Sequence, residues 1–138
     1  MPGSEPRAIS GIVVSGRGEG EIYVNIYARE FERRLGFRPY PGTLNVKLDP
    51  EETEKRIRLL SGTNPIVIPP PRGIPGLVRV HCHPAVIRGV KVFIVEPQVP
   101  GYDASIVELI SQIYLREALG LKDGDMVEII LLAEHDYP

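Results

Sequence analysis

The chain has 138 residues and nearly balanced charge, with 16 Lys and Arg against 18 Asp and Glu, so its formal net charge is −2. This length suits a single domain, and the charge balance gives no support for a broad nucleic-acid-binding face. No apolar run approaches the ~20 residues of a membrane span, and the N-terminus lacks the basic start and apolar core of a signal peptide. The single cysteine, Cys82, excludes an internal disulfide. We therefore expect a compact cytoplasmic protein that binds neither nucleic acid nor membrane.

Short apolar runs separated by glycine and proline dominate the chain and predict strands. The 14 glycines and 14 prolines stay below the roughly 25–30% share typical of disordered chains. The predicted strands cover residues 12–14, 21–27, 44–48, 77–87, 90–95 and 126–132, with a mixed segment over 105–115. The proline-rich stretch 69–76 is predicted to be a rigid loop without regular structure.

The clearest helix start is at Asp49. Its carboxylate can accept hydrogen bonds from free amides, Pro50 suits the first helical position, and Glu52 stands three residues after the cap. The helix is expected to run to about residue 60, with Ile57 and Leu60 facing inward.

Two shorter helices are expected over 28–35 and near 116–119. Phe31 and Leu35 are four residues apart, and Gly36 follows as a stop signal. Parallel β-α-β units would need longer alternating helices, so the pattern favours a mainly β fold, a small β-barrel with short inserted helices. The expected organisation is a tail over 1–9, one domain over 10–132 and a tail over 133–138.

Three alternating glycines, Gly16, Gly18 and Gly20, follow the first predicted strand. Glycines allow backbone amides to approach an anion closely. A dinucleotide-binding fingerprint requires a helix directly afterwards, whereas the alternation over 21–27 predicts a strand, so we expect no Rossmann-type site. Two interpretations stay open: a hairpin connection, or an anion-binding loop in which Arg17 offsets the charge of the ligand.

Thr43 and Asn45 are two residues apart on a predicted strand, so their side chains point to the same face. A hydroxyl and a carboxamide oxygen side by side form a weak, uncharged site of the kind that Mg²⁺ accepts when nucleotide phosphates supply the charge. The alternative is the polar outer face of a strand.

Glu108 is a carboxylate within the apolar run Ile106–Ile110. Position alone favours a side chain that faces solvent. If it lines a cavity instead, it can accept hydrogen bonds from a polyol or from a ring N–H.

His81 and His83 share one face of a predicted strand, and Cys82 points the opposite way. Two imidazoles without a third nearby ligand are half of a zinc site. Ordinary strand positions, with Cys82 as a small core residue, are the favoured interpretation.

Four blocks of sequence resemble the archaeal CTP-dependent riboflavin kinase family, in the same order and over about residues 11–130. The most specific begins at Leu35 and reads Leu-Gly-Phe-x-Pro-Tyr-Pro-Gly-Thr-Leu-Asn. The blocks are 16–20, 35–46, Glu108 followed by 114–117, and 121–125.

This resemblance implies a cradle-loop β-barrel of about six strands and a specific reaction. The γ-phosphoryl group of CTP would pass to the 5′-hydroxyl of riboflavin and give FMN and CDP. Thr43 and Asn45 would bind Mg²⁺, and Glu108 would hold the flavin. The residues implied to bind the nucleotide are Gly16, Arg17, Gly18, Glu19, Gly20, Glu21, Ile113, Tyr114, Leu115 and Arg116.

The chain departs from the family pattern near the expected flavin site. Family members place a threonine about eight residues before the flavin-binding glutamate, where this chain has Pro100 preceded by Val99 instead of a basic residue. The resemblance thus assigns Pro100 to the flavin site, where this chain lacks the hydroxyl group of the threonine and the charge of the basic residue. No general base stands out, and Glu108 is the only carboxylate nominated.

Two other function classes stay open. The first is a non-catalytic barrel that binds flavin or nucleotide as a sensor. The second is a DNA-binding swapped-hairpin barrel, which would need a basic stripe, whereas the basic residues of this chain are scattered among as many acids. A monomer is expected.

Overall fold

The chain folds into a closed barrel of six antiparallel strands with a seventh strand beside it. The computed structural model describes residues 7–16 and 18–133. In chain order the elements are β1 (Ala8–Val14), α1 (Glu19–Leu35), β2 (Leu44–Lys47), α2 (Pro50–Ser61), β3 (Ile66–Ile68), β4 (Val80–Ile87), β5 (Val90–Pro97), β6 (Ile106–Ile110), α3 (Leu115–Leu119) and β7 (Met126–Leu131). The sheet order is β3-β4-β5-β6-β2-β1-β7, and pairing of β4 with β7 closes the ring and leaves β3 outside it. The predicted fold class is confirmed.

The barrel wall separates two apolar clusters, because successive residues of a strand point to opposite faces. On β5, Val92 and Ile94 belong to the cluster inside the barrel, to which all six ring strands contribute. Their neighbours Phe93 and Val95 belong to a second cluster on the outer face, where α1 packs. The outer face of the sheet therefore carries its own core under a helix.

The strand predicted over 21–27 is wrong, because these residues lie in the 17-residue helix α1. Val24 and Tyr27, three residues apart, are buried, as one face of a helix requires. The apolar residues that created the alternation, Ile22 and Ile26, are 64% and 39% exposed. The short helix predicted to end at Gly36 is the last part of α1.

The strand predicted over 21–27 is therefore no reason to exclude a Rossmann-type site. A helix does follow the glycine loop directly. The exclusion itself holds for another reason, because β1 pairs antiparallel with both of its neighbours, β2 and β7. A dinucleotide-binding fold requires β1 in a parallel sheet.

The helix predicted from Asp49 is confirmed in start and length. The Asp49 carboxylate accepts a hydrogen bond from the backbone N–H of Glu52 at 2.8 Å. Leu60 is buried as predicted, but Ile57 is 55% exposed, so its inward placement was wrong. Arg56 is buried in its stead, because polar groups at the end of the barrel bind its guanidinium.

A buried polar network under α2 fixes the loop that leads into β6. Arg56 donates to the carbonyl oxygens of Ala104 and Ile106, both at 2.8 Å, and to Glu96 Oε2 at 2.9 Å. His83 Nε2 lies 3.1 Å from Glu96 Oε1. Burial raises the pKa of Glu96, but the His83 hydrogen bond and the Arg56 charge outweigh it, so the pKa of Glu96 is lowered. His83 is thus a structural residue, and Cys82 is buried as predicted.

Most remaining predictions are confirmed. Arg88 and Gly89 both have positive φ, 47° and 80°, and close the β4–β5 hairpin. The stretch 69–76 has no regular structure. The three-residue strand β3 was not predicted, and β1 begins at Ala8, two residues before the expected start of the domain. Within the part of the chain that the structure describes, no helix has both the length and the apolar character needed to cross a membrane.

Candidate functional site

A cleft of about 550 Å³ lies on the outer face of the barrel, where β1, β2 and β6 meet the start of α1. Three segments that are distant in sequence line it together: the glycine loop, the segment after the turn at residue 42, and β6. The predicted site residues that line it are Gly16, Gly18, Glu19, Gly20, Glu21, Thr43, Asn45 and Glu108.

Strand register places Glu108 next to Asn45. Asn45 of β2 is paired with Val14 of β1 on one side and with Glu108 of β6 on the other. Directly paired residues of antiparallel strands point to the same face, with Cα atoms about 4.5–5.5 Å apart. The carboxylate therefore lines the cleft and is half-buried there.

The side-chain oxygens of Thr43 and Asn45 meet at the floor of the cleft. Thr43 Oγ1 lies 3.3 Å from Asn45 Oδ1. Two neighbouring ligands of an octahedral Mg²⁺, each about 2.1 Å from the ion, are about 3 Å apart. The pair fits two adjacent positions of such an ion, and both donors are the hard oxygens that Mg²⁺ prefers.

Gly16 and Gly20 closely approach Asn45 and Thr43, respectively. A Cβ on Gly20 would lie 2.5 Å from Thr43 Oγ1 and 3.1 Å from Thr43 N. A Cβ on Gly16 would overlap Asn45 Nδ2. At Gly18, glycine is favoured for a different reason: its φ of 79° is a left-handed conformation that other residues rarely adopt. The loop is therefore shaped to bring backbone against the oxygen pair.

The N-terminus of α1 opens into the cleft. Gly18 is its N-cap residue and provides no side-chain hydrogen bond to the first turn. The free N–H groups of a first turn carry partial positive charge and attract anions. Glu19 and Glu21, in the first turn, partly offset this charge. The sequence interpretation missed this feature because it predicted a strand after the loop.

Glu108 is a stronger proton acceptor than an ordinary glutamate. Burial raises its pKa, and the neighbouring charge of Glu19 raises it further, although Arg56 partly opposes the shift. Desolvation disfavours the charged form of a carboxyl group. The cleft thus holds a carboxyl group whose pKa lies above the ordinary glutamate value.

A second, smaller hollow of about 50 Å³ adjoins the cleft, since Pro41, Gly42 and Thr43 line both. The segment 113–116, predicted to bind nucleotide, forms its other wall. At its rim the rings of Tyr40 and Tyr114 stack, with centroids 4.9 Å apart and an interplanar angle of 14°. The two predicted nucleotide segments therefore flank one continuous surface.

Asp123 ties these two segments together, a contact that the sequence interpretation missed. Ser15 Oγ donates to Asp123 Oδ2 at 2.6 Å, and Arg116 Nη2 donates to Asp123 Oδ1 at 2.6 Å. Arg116 also reaches the carbonyl oxygen of Val14 at 3.3 Å. The Ser15 and Arg116 hydrogen bonds lower the pKa of Asp123. The only sequence signal was its place in a turn motif, Lys-Asp-Gly-Asp.

Two predicted residues are not brought to the cleft. Pro100 is exposed on a turn with Gly101, whose φ is 75°, and Pro100 does not line the cleft. Its assignment to the flavin site stays a prediction. Arg17 lies outside the described residues.

Comparison with known proteins identifies a matching family model and several similar riboflavin kinases. The family model CTP-dep_RFKase, described as a domain of unknown function, DUF120, matches residues 13–131. A riboflavin kinase of Staphylothermus marinus is 39% identical over 132 residues, which cover 96% of this chain and 97% of that protein. A riboflavin kinase of Aeropyrum pernix is 41% identical over 125 residues and is covered to 93%.

Other relatives are longer. A riboflavin kinase of Pyrobaculum arsenaticum is 42% identical over 125 residues, which cover 88% of this chain but 59% of that protein. The present chain thus spans about three fifths of the length of that relative. The resemblance predicted from the sequence blocks is confirmed, and the chain belongs to the CTP-dependent riboflavin kinase family, a family of phosphotransferases.

Proposed function

We propose that this protein transfers the γ-phosphoryl group of CTP to the 5′-hydroxyl of riboflavin and releases FMN and CDP. One observation carries the proposal: a single cleft joins an uncapped helix N-terminus, a close pair of side-chain oxygens and a half-buried carboxylate. Phosphoryl transfer needs positioning and charge neutralisation more than covalent chemistry, and these three features supply both.

The triphosphate would lie against the glycine loop and the first turn of α1. Backbone N–H groups there can stabilise the negative charge that develops during transfer. Thr43 and Asn45 would hold Mg²⁺ through their side-chain oxygens. When bound, Mg²⁺ would neutralise negative charge on the phosphate groups. An uncharged ligand pair suits this role, because the nucleotide brings the negative charge that binds the ion.

Glu108 would hold the terminal hydroxyl of the ribityl chain beside the phosphate site. Its pairing with Asn45 supports this position, and burial raises its pKa, which makes it a better proton acceptor than an ordinary carboxylate. A bond forms between the 5′-oxygen and the γ-phosphorus while the bond from that phosphorus to the β,γ-bridging oxygen breaks. The hydroxyl proton passes to Glu108 and then to solvent, and CDP leaves with the bridging oxygen.

The cytosine base would lie along segment 113–116, beside Tyr114. Preference for cytosine is supported by family membership and not by any side chain of this surface, since main-chain N–H and C=O groups can read a base without a sequence signature. The partners proposed are therefore riboflavin and CTP, bound by one copy of the chain.

The test is riboflavin turnover with CTP, ATP, GTP and UTP at one fixed Mg²⁺ concentration, and with CTP after addition of a chelator. We expect FMN formation with CTP and loss of turnover on chelation. Turnover with ATP alone would contradict the nucleotide assignment. Tight binding of FMN or CDP without product would favour the alternative, a flavin- or nucleotide-binding sensor.

A further inference from the structure

The hydroxyl of Tyr23 is buried and has no hydrogen-bond partner among the residues that the structure describes. Tyr27, one turn further along α1, shows the usual arrangement: its hydroxyl donates to the carbonyl oxygen of Val78 at 2.7 Å and accepts from the N–H of Val78 at 3.2 Å. Buried polar groups in folded proteins are almost always paired, and an unpaired one bears the full cost of desolvation. The described residues of the free protein therefore supply no hydrogen-bond partner for the Tyr23 hydroxyl, so a bound ligand can supply one.

Tyr23 belongs to α1, whose first turn lines the cleft. It follows the cleft-lining residues Glu19–Glu21 by less than one helical turn and packs against the outer cluster of the sheet. Burial raises the pKa of Tyr23 well above its usual range, and the nearby Cys82 and Glu108 add to the shift. Tyr23 and Glu108 therefore lie on the same outer face of the sheet, since Glu108 is paired with Val95 of the cluster that Tyr23 packs against.

Strand register gives the direction from the oxygen pair of Thr43 and Asn45 towards Tyr23. Asn45 is paired with Glu108, Glu108 with Val95, and Val95 with Cys82, so all four point to the outer face in one row. Neighbouring strands are about 4.8 Å apart. A molecule that starts at the Asn45 end and extends past Glu108 reaches the area that Tyr23 covers.

We propose that Tyr23 is a flavin-binding residue whose hydroxyl donates a hydrogen bond to an oxygen of bound riboflavin. The inference rests on the proposed function, which supplies the ligand and anchors its 5′-hydroxyl at Glu108. From that anchor the rest of riboflavin has to extend away from the phosphates. The half-buried ring of Tyr23 adds aromatic surface of the kind that flavins pack against.

The acceptor oxygen belongs either to a ring carbonyl or to a hydroxyl of the ribityl chain. Both accept a hydrogen bond from a phenol in the same way. Lumiflavin, which keeps the ring but replaces the ribityl chain with a methyl group, separates the two. A loss of affinity for both flavins assigns a ring carbonyl, and a loss for riboflavin alone assigns a ribityl hydroxyl.

The proposal has a signature that a structural role cannot produce. Tyr23→Phe removes a hydroxyl that is unpaired in the free protein, so the variant should unfold at the same temperature as the wild type or higher. The same change removes a hydrogen bond from the complex, so riboflavin should bind about five- to tenfold more weakly. Tyr27→Phe is the matched control: it loses two hydrogen bonds and should unfold about 5 °C lower, with riboflavin affinity unchanged.

The experiment measures riboflavin and lumiflavin binding by quenching of flavin fluorescence, and thermal unfolding without ligand, for the wild type and both variants. Unchanged riboflavin affinity in Tyr23→Phe would overturn the proposal. A weaker affinity accompanied by a lower unfolding temperature would overturn it too, because a lost structural contact, such as one to a buried water, explains that result. Wild-type protein that forms FMN while Tyr23→Phe binds normally refutes this inference alone; wild-type protein that binds no riboflavin refutes the proposed function as well.

Discussion

Gly20 sets how closely α1 approaches Thr43, and Gly20→Ala is therefore a direct test of the oxygen pair. The added Cβ would lie 2.5 Å from Thr43 Oγ1, whereas ordinary contact begins at about 3.4 Å, so the two groups must separate by about 0.9 Å. Rotation of the threonine side chain does not remove the contact, because Thr43 N would also lie only 3.1 Å away. A displacement of about 1 Å in a positioning group costs on the order of 100-fold in rate. We expect kcat with CTP to fall by about that factor.

The stability of the variant separates this effect from general damage. Alanine is favoured over glycine within a helix by up to about 1 kcal/mol, which offsets much of the local clash, so the thermal unfolding midpoint should stay near that of the wild type. Gly62→Ala is the matched control, since its Cβ would meet only the carbonyl oxygen of Leu59 at 3.9 Å. Steady-state kinetics at several Mg²⁺ concentrations measure the change. A kcat within twofold of the wild type would refute the argument that close approach to Thr43 matters.

Four further predictions test other parts of the site and the fold. The double variant Thr43→Val with Asn45→Leu keeps similar side-chain volumes but removes both oxygen donors, so Mg²⁺-dependent turnover should be abolished while unfolding by heat changes little; near-normal rates would exclude the metal site. Because burial raises the pKa of Glu108, kcat should fall as pH drops through that raised value. This acidic fall in the plot of kcat against pH should be missing in Glu108→Gln. The folded state disfavours the charged form of Glu108, so the free energy of unfolding of the wild type falls as pH rises above the ordinary glutamate range. Glu108→Gln should therefore be more stable than the wild type at neutral pH but not below that range. A stability difference in urea unfolding that does not change with pH would contradict this. Asp49→Ala should lower the free energy of unfolding by about 1 kcal/mol, whereas Asp49→Asn should not, and neither should change kcat; equal unfolding of the two variants would show that the cap contributes nothing.

Local sequence was sufficient wherever the deciding interaction spans only a few residues. Asp49 accepts from the N–H three residues later, and Arg88 with Gly89 closes a two-residue turn, so both features follow from neighbouring residues alone. The same-face placement of Thr43 and Asn45 follows from the period of a strand. The family blocks added the order of the predicted binding segments, although not their geometry.

Tertiary structure decided the features that depend on distant partners. Seven alternating residues fit a strand or a helix, and α1 is a helix because Val24 and Tyr27 can then bury their side chains on the outer face of the barrel. Glu108 lines a cleft instead of facing solvent only because β6 pairs with β2 beside Asn45. The balanced charge gave no support for a broad nucleic-acid-binding face, and the length suits one domain. Charge and length carried no information on which loop reaches which strand, since that is set by packing between residues far apart in the sequence.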